Sequence, residues 1–185
     1  MSTGFTLFDT AIGACGLVWG EHGLLGVQLP ERNGAVTRTR LMRRFPDAQE
    51  LATTTEIRFA RDAIIALTDG ENRDLSDIAL DMRDLPALNR NVYDIARTVA
   101  PGATLTYGAI ALALGDRTLA QAVGQALGRN PYPIIVPCHR VLASGGRIGG
   151  FSAPTGIALK RKLLAIESVH ARGAPDLFDS LRQAS

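Results

Sequence analysis

Residues 137–140 read Pro-Cys-His-Arg and set one of the chain's two cysteines directly beside one of its three histidines. A thiolate is the most nucleophilic side chain near neutral pH, and a neighbouring imidazole or guanidinium tends to stabilise it. Adjacency is only a starting point, because catalytic partners usually meet in space rather than in sequence. The competing reading is a small buried hydrophobe, which is what a free cysteine most often is. Cys15, the other cysteine, lies more than a hundred residues away. Cys15, Cys138, His22, His139 and His170 show none of the paired spacings of a zinc site, so no metal is expected.

The whole chain bounds what such a thiol could serve. Its 185 residues fit one large domain or two small ones, and 46% hydrophobic with 21% charged residues is the composition of a globular protein. No apolar run approaches the roughly 20 residues of a membrane span. The start, MSTGFTLFDTAIG, lacks the basic and apolar regions of a secretory signal, so a cytoplasmic location with both thiols free is expected. Charge divides along the chain. Residues 1–100 carry 11 Lys/Arg against 14 Asp/Glu, whereas residues 101–167 carry 7 against 2. Arg117, Arg129, Arg140, Arg147, Lys160, Arg161 and Lys162 therefore flank the cysteine in sequence, which fits either a polyanionic partner or an ordinary solvated surface.

The elements that must position the thiol split at about the same place. FTLFDTAIGACGLVWGEHGLLGVQL alternates apolar runs with Gly-centred turns and predicts two or three antiparallel strands in hairpins. Two helices should follow, an Arg-rich one around 35–44 and TTTEIRFARDAIIAL, whose threonines cap it and whose Ile57, Ala60, Ile64 and Leu67 share one face. DLSDIALDM is expected to be a further strand and DLPALNR a linker. The predicted fold is α+β, with residues 1–85 forming a small antiparallel sheet with helices and residues 86–185 a mainly helical domain.

In that second domain ALNRNVYDIARTVA predicts an amphipathic helix ended by Pro101-Gly102. A short helix at 107–114, a Gly115-Asp116 turn and a helix with Leu119, Ala122, Val123, Ala126 and Leu127 on one stripe make a helix-turn-helix pattern. The opposite face carries Arg117, Gln121, Gly124, Gln125 and Gly128. Gly124 costs about 1 kcal/mol relative to Ala inside a helix, which implies a packing or close-approach reason. A small, amide-bearing, weakly basic face suits a DNA backbone.

Residues 104–167 resemble the catalytic domain of the O6-alkylguanine-DNA alkyltransferases, also called methylated-DNA-protein-cysteine methyltransferases. Pro-Cys-His-Arg followed by Val141 is that family's active-site motif, and Asn130-Pro131 stands at the family's distance of eight residues before the cysteine. Thr106-Tyr107-Gly108, Ala122-Val123-Gly124 and LLAIE at 163–167 fall in the family's order. The N-terminal half resembles the family in its hairpin-first pattern and length. The resemblance implies a ribonuclease H-like N-terminal domain, double-stranded DNA carrying O6-alkylguanine as partner, no cofactor and a monomer.

It also implies roles. Cys138 would attack the alkyl carbon, His139 would take the thiol proton through a bridging water, and Glu167 would orient His139. The product is a thioether that water does not readily hydrolyse, so each molecule would act once. Asn130 would tie the cysteine loop to the helix-turn-helix, and Tyr107 would sit near the extruded nucleotide and donate a proton as guanine leaves. The main-chain carbonyls of Cys138 and Val141 would accept from the guanine amino group, the amide of Ser152 would face O6, and Phe151, where the family often has Tyr, would wall the pocket. Pro154 departs from the Gly-Gly of some members. Arg117, Thr118, Gln121, Gly124, Gln125, Arg129 and Arg140 would contact DNA.

Taken singly, these residues have plainer readings: Glu167 a surface carboxylate, Asn130 a helix cap, Tyr107 a core aromatic. Gln121 stands where the family usually has the Arg that fills the gap left by the flipped base; a Gln brings no charge and less stacking area. Two other functions fit parts of the pattern. One is a protein that binds alkylated bases without repairing them, although such proteins lack the motif cysteine. The other is a helix-turn-helix regulator, which leaves Cys138, His139 and Glu167 without a purpose.

Overall fold

The computed structural model describes residues 3–148 and 156–168. Strands β1 (Gly4–Thr10), β2 (Gly13–Gly20) and β3 (Gly23–Gln28) form successive antiparallel hairpins, as the alternating pattern predicts. The two-residue β4 (Gln49–Glu50) adds a parallel edge to β1, so the sheet runs β3-β2-β1-β4 and is not wholly antiparallel. Its centre, β2, is buried on both faces. Leu17 and Trp19 join one apolar cluster, while Val18 joins Phe5, Leu41 and Ala48 in another, as the period of two along a strand requires. Gly4 makes room for this: a Cβ there would lie 2.5 Å from the Trp19 indole.

Helix α1 (Gly34–Arg44) covers the Val18 face and α2 (Thr55–Thr68) the Leu17 face. Both begin at side-chain caps, Asn33 on the Val36 amide and Thr54 on the Ile57 amide. Ile57, Ala60, Ile64 and Leu67 of α2 all face inward. The expected strand over DLSDIALDM is absent. Asp74 caps the Ser76 amide and turns the chain, Leu75 and Ile78 reach the core, and only Leu80 bridges to Leu24 of β3. The segment's aspartates favour turns over a ladder, which outweighs its short apolar alternation.

Helix α3 (Ala87–Arg97) stops before Pro101-Gly102, with Thr98 capping it. The helix-turn-helix consists of α4 (Tyr107–Ala113), a turn at Gly115, a 3-10 turn at Arg117–Leu119 and α5 (Ala120–Gly128). Arg117 therefore lies in the turn ahead of the second helix. Val123, Ala126 and Leu127 face the core. Strand β5 (Leu105–Thr106) pairs in parallel with β6 (Val141–Leu142), and α6 (Gly156–Ser168) closes the described chain. Residues on both sides of position 85 share one apolar cluster, which runs from Leu17 and Ile64 through Tyr93 and Val123 to Cys138 and Leu163. No helix among the described residues is long and apolar enough to cross a membrane.

Candidate active site

The cysteine loop is held at its start by Asn130, just past the end of α5. Its Oδ1 accepts from the Tyr132 amide at 2.9 Å and its Nδ2 donates to the Val136 carbonyl at 2.9 Å. Asn130 thus clamps six residues of loop. The N-terminal half holds the loop from outside, since the Val27 amide of β3 donates to the Pro131 carbonyl at 2.8 Å and the Tyr132 hydroxyl donates to the Asp81 carbonyl, next to the Leu80 bridge. At the centre of the loop Ile134 adopts φ 76°, a left-handed conformation rare for a β-branched residue. Its cost, on the order of 1–3 kcal/mol, is offset by full burial of the side chain.

The loop delivers Cys138, His139 and Arg140 into a 3-10 turn in which all three are buried. Pairing of Leu105 with Val141 sets Thr106, the cap of α4, beside the end of that turn and brings Tyr107 into electrostatic range of Cys138. From the other side α6 presents Lys160, Leu163 and Glu167, which at spacings of three and seven share one buried helix face. His139 Nε2 lies 2.8 Å from Glu167 Oε1. Arg140 donates from Nε to Glu167 Oε2 at 2.8 Å, from Nη2 to Oε1 at 2.9 Å, and from Nη1 to the Val99 carbonyl. Lys160 Nζ donates to the Val141 carbonyl at 2.6 Å and to the Cys138 carbonyl at 3.4 Å.

Protonation states follow from these contacts. Burial alone would raise the Glu167 carboxyl, but the bonds from His139 and Arg140 outweigh it and hold the group at about 2. Burial pushes the His139 imidazole down against the pull of Glu167. At neutral pH the pair is therefore a carboxylate facing a neutral imidazole whose Nε2–H donates to Oε1. The lone pair of Nδ1 remains, and it is buried with no protein partner among the described residues. Burial also pushes the Cys138 thiol up; the Asn130 hydrogen bond and the Lys160 charge oppose that without reversing it. The thiolate suggested by its sequence neighbours is thus not the resting species. A thiol and a base held in the acceptor tautomer are consecutive residues of one buried turn, residue types suited to proton removal during nucleophilic attack.

Two sequence expectations change here. Arg140 is 5% exposed and committed to Glu167 and Val99, so it is not a DNA-contacting residue. Lys160 is 0% exposed, which leaves Arg117, Arg129, Arg147, Arg161 and Lys162 as the exposed members of the basic set. Lys160 was missed as a site residue. Its signal was a lysine seven positions before Glu167 on the stripe that contains Leu163. Gln121, Gln125, Arg117, Thr118 and Arg129 are exposed around α5, with the Thr118 amide and hydroxyl both bonded to Asp116. Gly124 has no packing need to be Gly, because a Cβ there would meet Tyr107 only at ordinary contact distance, 3.9 Å. Phe151, Ser152 and Pro154 lie outside the described residues. A cavity of about 780 Å³ between the β2–β3 hairpin and α2, lined by Trp19, Phe59 and Ile78 among others, is bordered by none of the site residues.

Residues 87–169 match the family described as 6-O-methylguanine DNA methyltransferase, DNA binding domain. A methylated-DNA–protein-cysteine methyltransferase of Methanothermobacter thermautotrophicus is 31% identical over 158 residues, 85% of this chain and 81% of that protein. A DNA base-flipping protein of Thermus thermophilus is 38% identical over 99 residues, 54% of this chain and 66% of that one. The crystal structure of the Mycobacterium tuberculosis O6-methylguanine methyltransferase superposes with a TM-score of 0.72 at 31% identity, covering 95% of this chain and 98% of that one. The same protein in complex with DNA covers 91% and 94%, also with a TM-score of 0.72. With the thiol, the base and its carboxylate assembled beside a helix-turn-helix, and with relatives matched over most of both chains, this protein belongs to the methylated-DNA–protein-cysteine methyltransferase family.

Proposed function

We propose that this protein repairs double-stranded DNA by moving the alkyl group of O6-alkylguanine irreversibly to its own Cys138. As sulfur bonds to the alkyl carbon, the bond from that carbon to O6 breaks and its electron pair leaves with the purine. The thiol proton passes through a water to His139 Nδ1, whose imidazolium is stabilised by Glu167. Tyr107, at the start of α4, returns a proton to the departing guanine. Because the thioether persists, one protein molecule repairs one base.

The observation that carries this reading is the buried relay from Glu167 through His139 to an orphaned Nδ1, on the residue that follows Cys138 in the same buried turn. A protein that only bound alkylated bases, or a transcription regulator, would have no use for it. DNA contact is assigned to the exposed face of α5 and its flanks, namely Arg117, Thr118, Gln121, Gly124, Gln125 and Arg129. A glycine that internal packing does not demand fits close approach of a backbone there. Val141, with Phe151 and Ser152, is assigned to the base pocket. The carbonyls of Cys138 and Val141 retain a lone pair each for the guanine amino group while accepting from Lys160. The two free thiols fit a reducing, cytoplasmic setting, and the protein acts as a monomer over two domains that meet near residue 85.

Intact-mass measurement after incubation with a duplex containing O6-methylguanine tests the proposal. One methyl group in place of one hydrogen, mapped to Cys138, is expected. A protein that binds the duplex and keeps its mass is a binding protein only.

A further inference from the structure

We propose that Arg140 is a positioning residue for the relay: by holding both oxygens of Glu167 it keeps the proton of His139 on Nε2 and the Nδ1 lone pair available to the thiol. The inference rests on the alkyl-transfer reading of Cys138. Only a planar guanidinium supplies two parallel donors to one carboxylate and a third to a carbonyl. Arg140 uses all three, and its bond to Val99 pins the fork to the segment following α3.

Consider Glu167 without this fork. Its side chain is 2% exposed, His139 supplies a single donor to Oε1, and Oε2 keeps only the Gly102 amide at 3.5 Å. A buried carboxylate so poorly satisfied gains a proton more readily. A protonated Glu167 donates to His139 Nε2 instead of accepting from it, which moves the imidazole proton to Nδ1. That tautomer has no lone pair for the thiol and is inert as its base. The charged and titratable groups facing the relay divide by sign. Arg140 and Lys160 both disfavour imidazolium at His139, Glu167 favours it, and Asp74 lies near Arg140. Around the thiol stand Lys160 of α6, Tyr93 of α3 and Tyr107 of α4.

Arg140→Met should shift the imidazole toward the Nδ1–H tautomer, read from its ring-nitrogen chemical shifts. It should also slow single-turnover transfer by about 100-fold or more, the scale of a lost general base. The acid limb of the pH–rate profile should move to higher pH, because removing Arg140 raises both the Glu167 carboxyl and the His139 imidazole. Arg140→Lys keeps the charge but not the fork, and should give a smaller shift of the same sign even if the Met variant does not fold. If folded Arg140→Lys keeps the wild-type tautomer and the wild-type acid limb, with any rate loss matched by lowered thermal stability, Arg140 is only a structural staple and the proposal is overturned. The ring-nitrogen spectrum needs no alkylated substrate, so it still decides the role of Arg140 if the wild-type protein gains no methyl group.

Discussion

The two cysteines occupy regions that burial alone does not tell apart. Cys15 lies in β2 at 0% exposure and Cys138 in its 3-10 turn at 7%, and burial pushes both thiols up. Around Cys15 the sole polar partner among the described residues is Thr10, 3.7 Å away, and the thiol rises to about 12. Asn130 and Lys160 act on Cys138, and the next residue in its turn is a histidine whose ring is backed by Glu167 and Arg140. A buried thiol becomes a nucleophile when its surroundings include a base to take the proton and groups that favour the anion; without them it remains a small apolar side chain.

The sharpest break of this comparison removes each sulfur in turn. Cys138→Ala should abolish methyl transfer while leaving duplex affinity nearly unchanged, as measured by intact mass and by fluorescence anisotropy. Cys15→Ala should transfer at the wild-type rate. Methyl gain by folded Cys138→Ala would end the mechanism. Next in size is Lys160→Met, which takes the buried cation from beside the sulfur. Transfer should fall about tenfold, equivalent to about 1.4 kcal/mol, and the pH dependence of Cys138 alkylation by iodoacetamide should move to higher pH. Unchanged alkylation would reduce Lys160 to a brace for the two carbonyls.

The two regions should also titrate at opposite ends of the pH scale. Unfolded cysteine ionises near about 8.5, below native Cys15, so the unfolded chain loses the proton first. Stability should decline from there up to about 12, by about 1.4 kcal/mol per pH unit. Cys15→Ala should lessen that decline in urea unfolding, leaving the share that the raised Cys138 thiol adds. The relay behaves in reverse. His139 is depressed below the about 6.5 of unfolded histidine and Glu167 lies at about 2 against about 4.3 unfolded. The unfolded chain binds protons first, so stability should fall as pH drops below about 6.5 and again between about 4.3 and about 2. Glu167→Gln should shrink the second step, leaving the share of Asp74, Asp81 and the other carboxylates held low.

The smallest expected effect is on the exposed face of α5. If Gln121 fills the stack vacated by the flipped base, Gln121→Arg should speed duplex repair a few-fold at saturating protein and leave repair of the free O6-alkylguanine base unchanged, because only the duplex requires extrusion. Gln121→Ala should slow the duplex reaction. Equal duplex rates for all three side chains would make Gln121 an ordinary solvent-facing residue.

What could be read from the linear chain was whatever repeats or caps locally. The hairpins of β1 to β3, the Thr54 cap and the apolar stripe of α5 follow from period and turn chemistry, whereas the pairing of His139 with Glu167 was legible only through the family resemblance. Locally similar signals misled where long-range contacts decided. DLSDIALDM alternates like a strand, yet its aspartates turn it, and β3 offers it one bridge. Arg140 and Lys160 looked like surface charge, because composition records a side chain's charge but not its direction. Only the docking of α6 against the cysteine turn supplies the Glu167 oxygens and main-chain carbonyls that make burying those two cations tolerable. The resting state of Cys138 was likewise a tertiary matter: sequence neighbours suggest a thiolate, whereas desolvation by residues distant in the chain keeps the proton on sulfur until a base removes it.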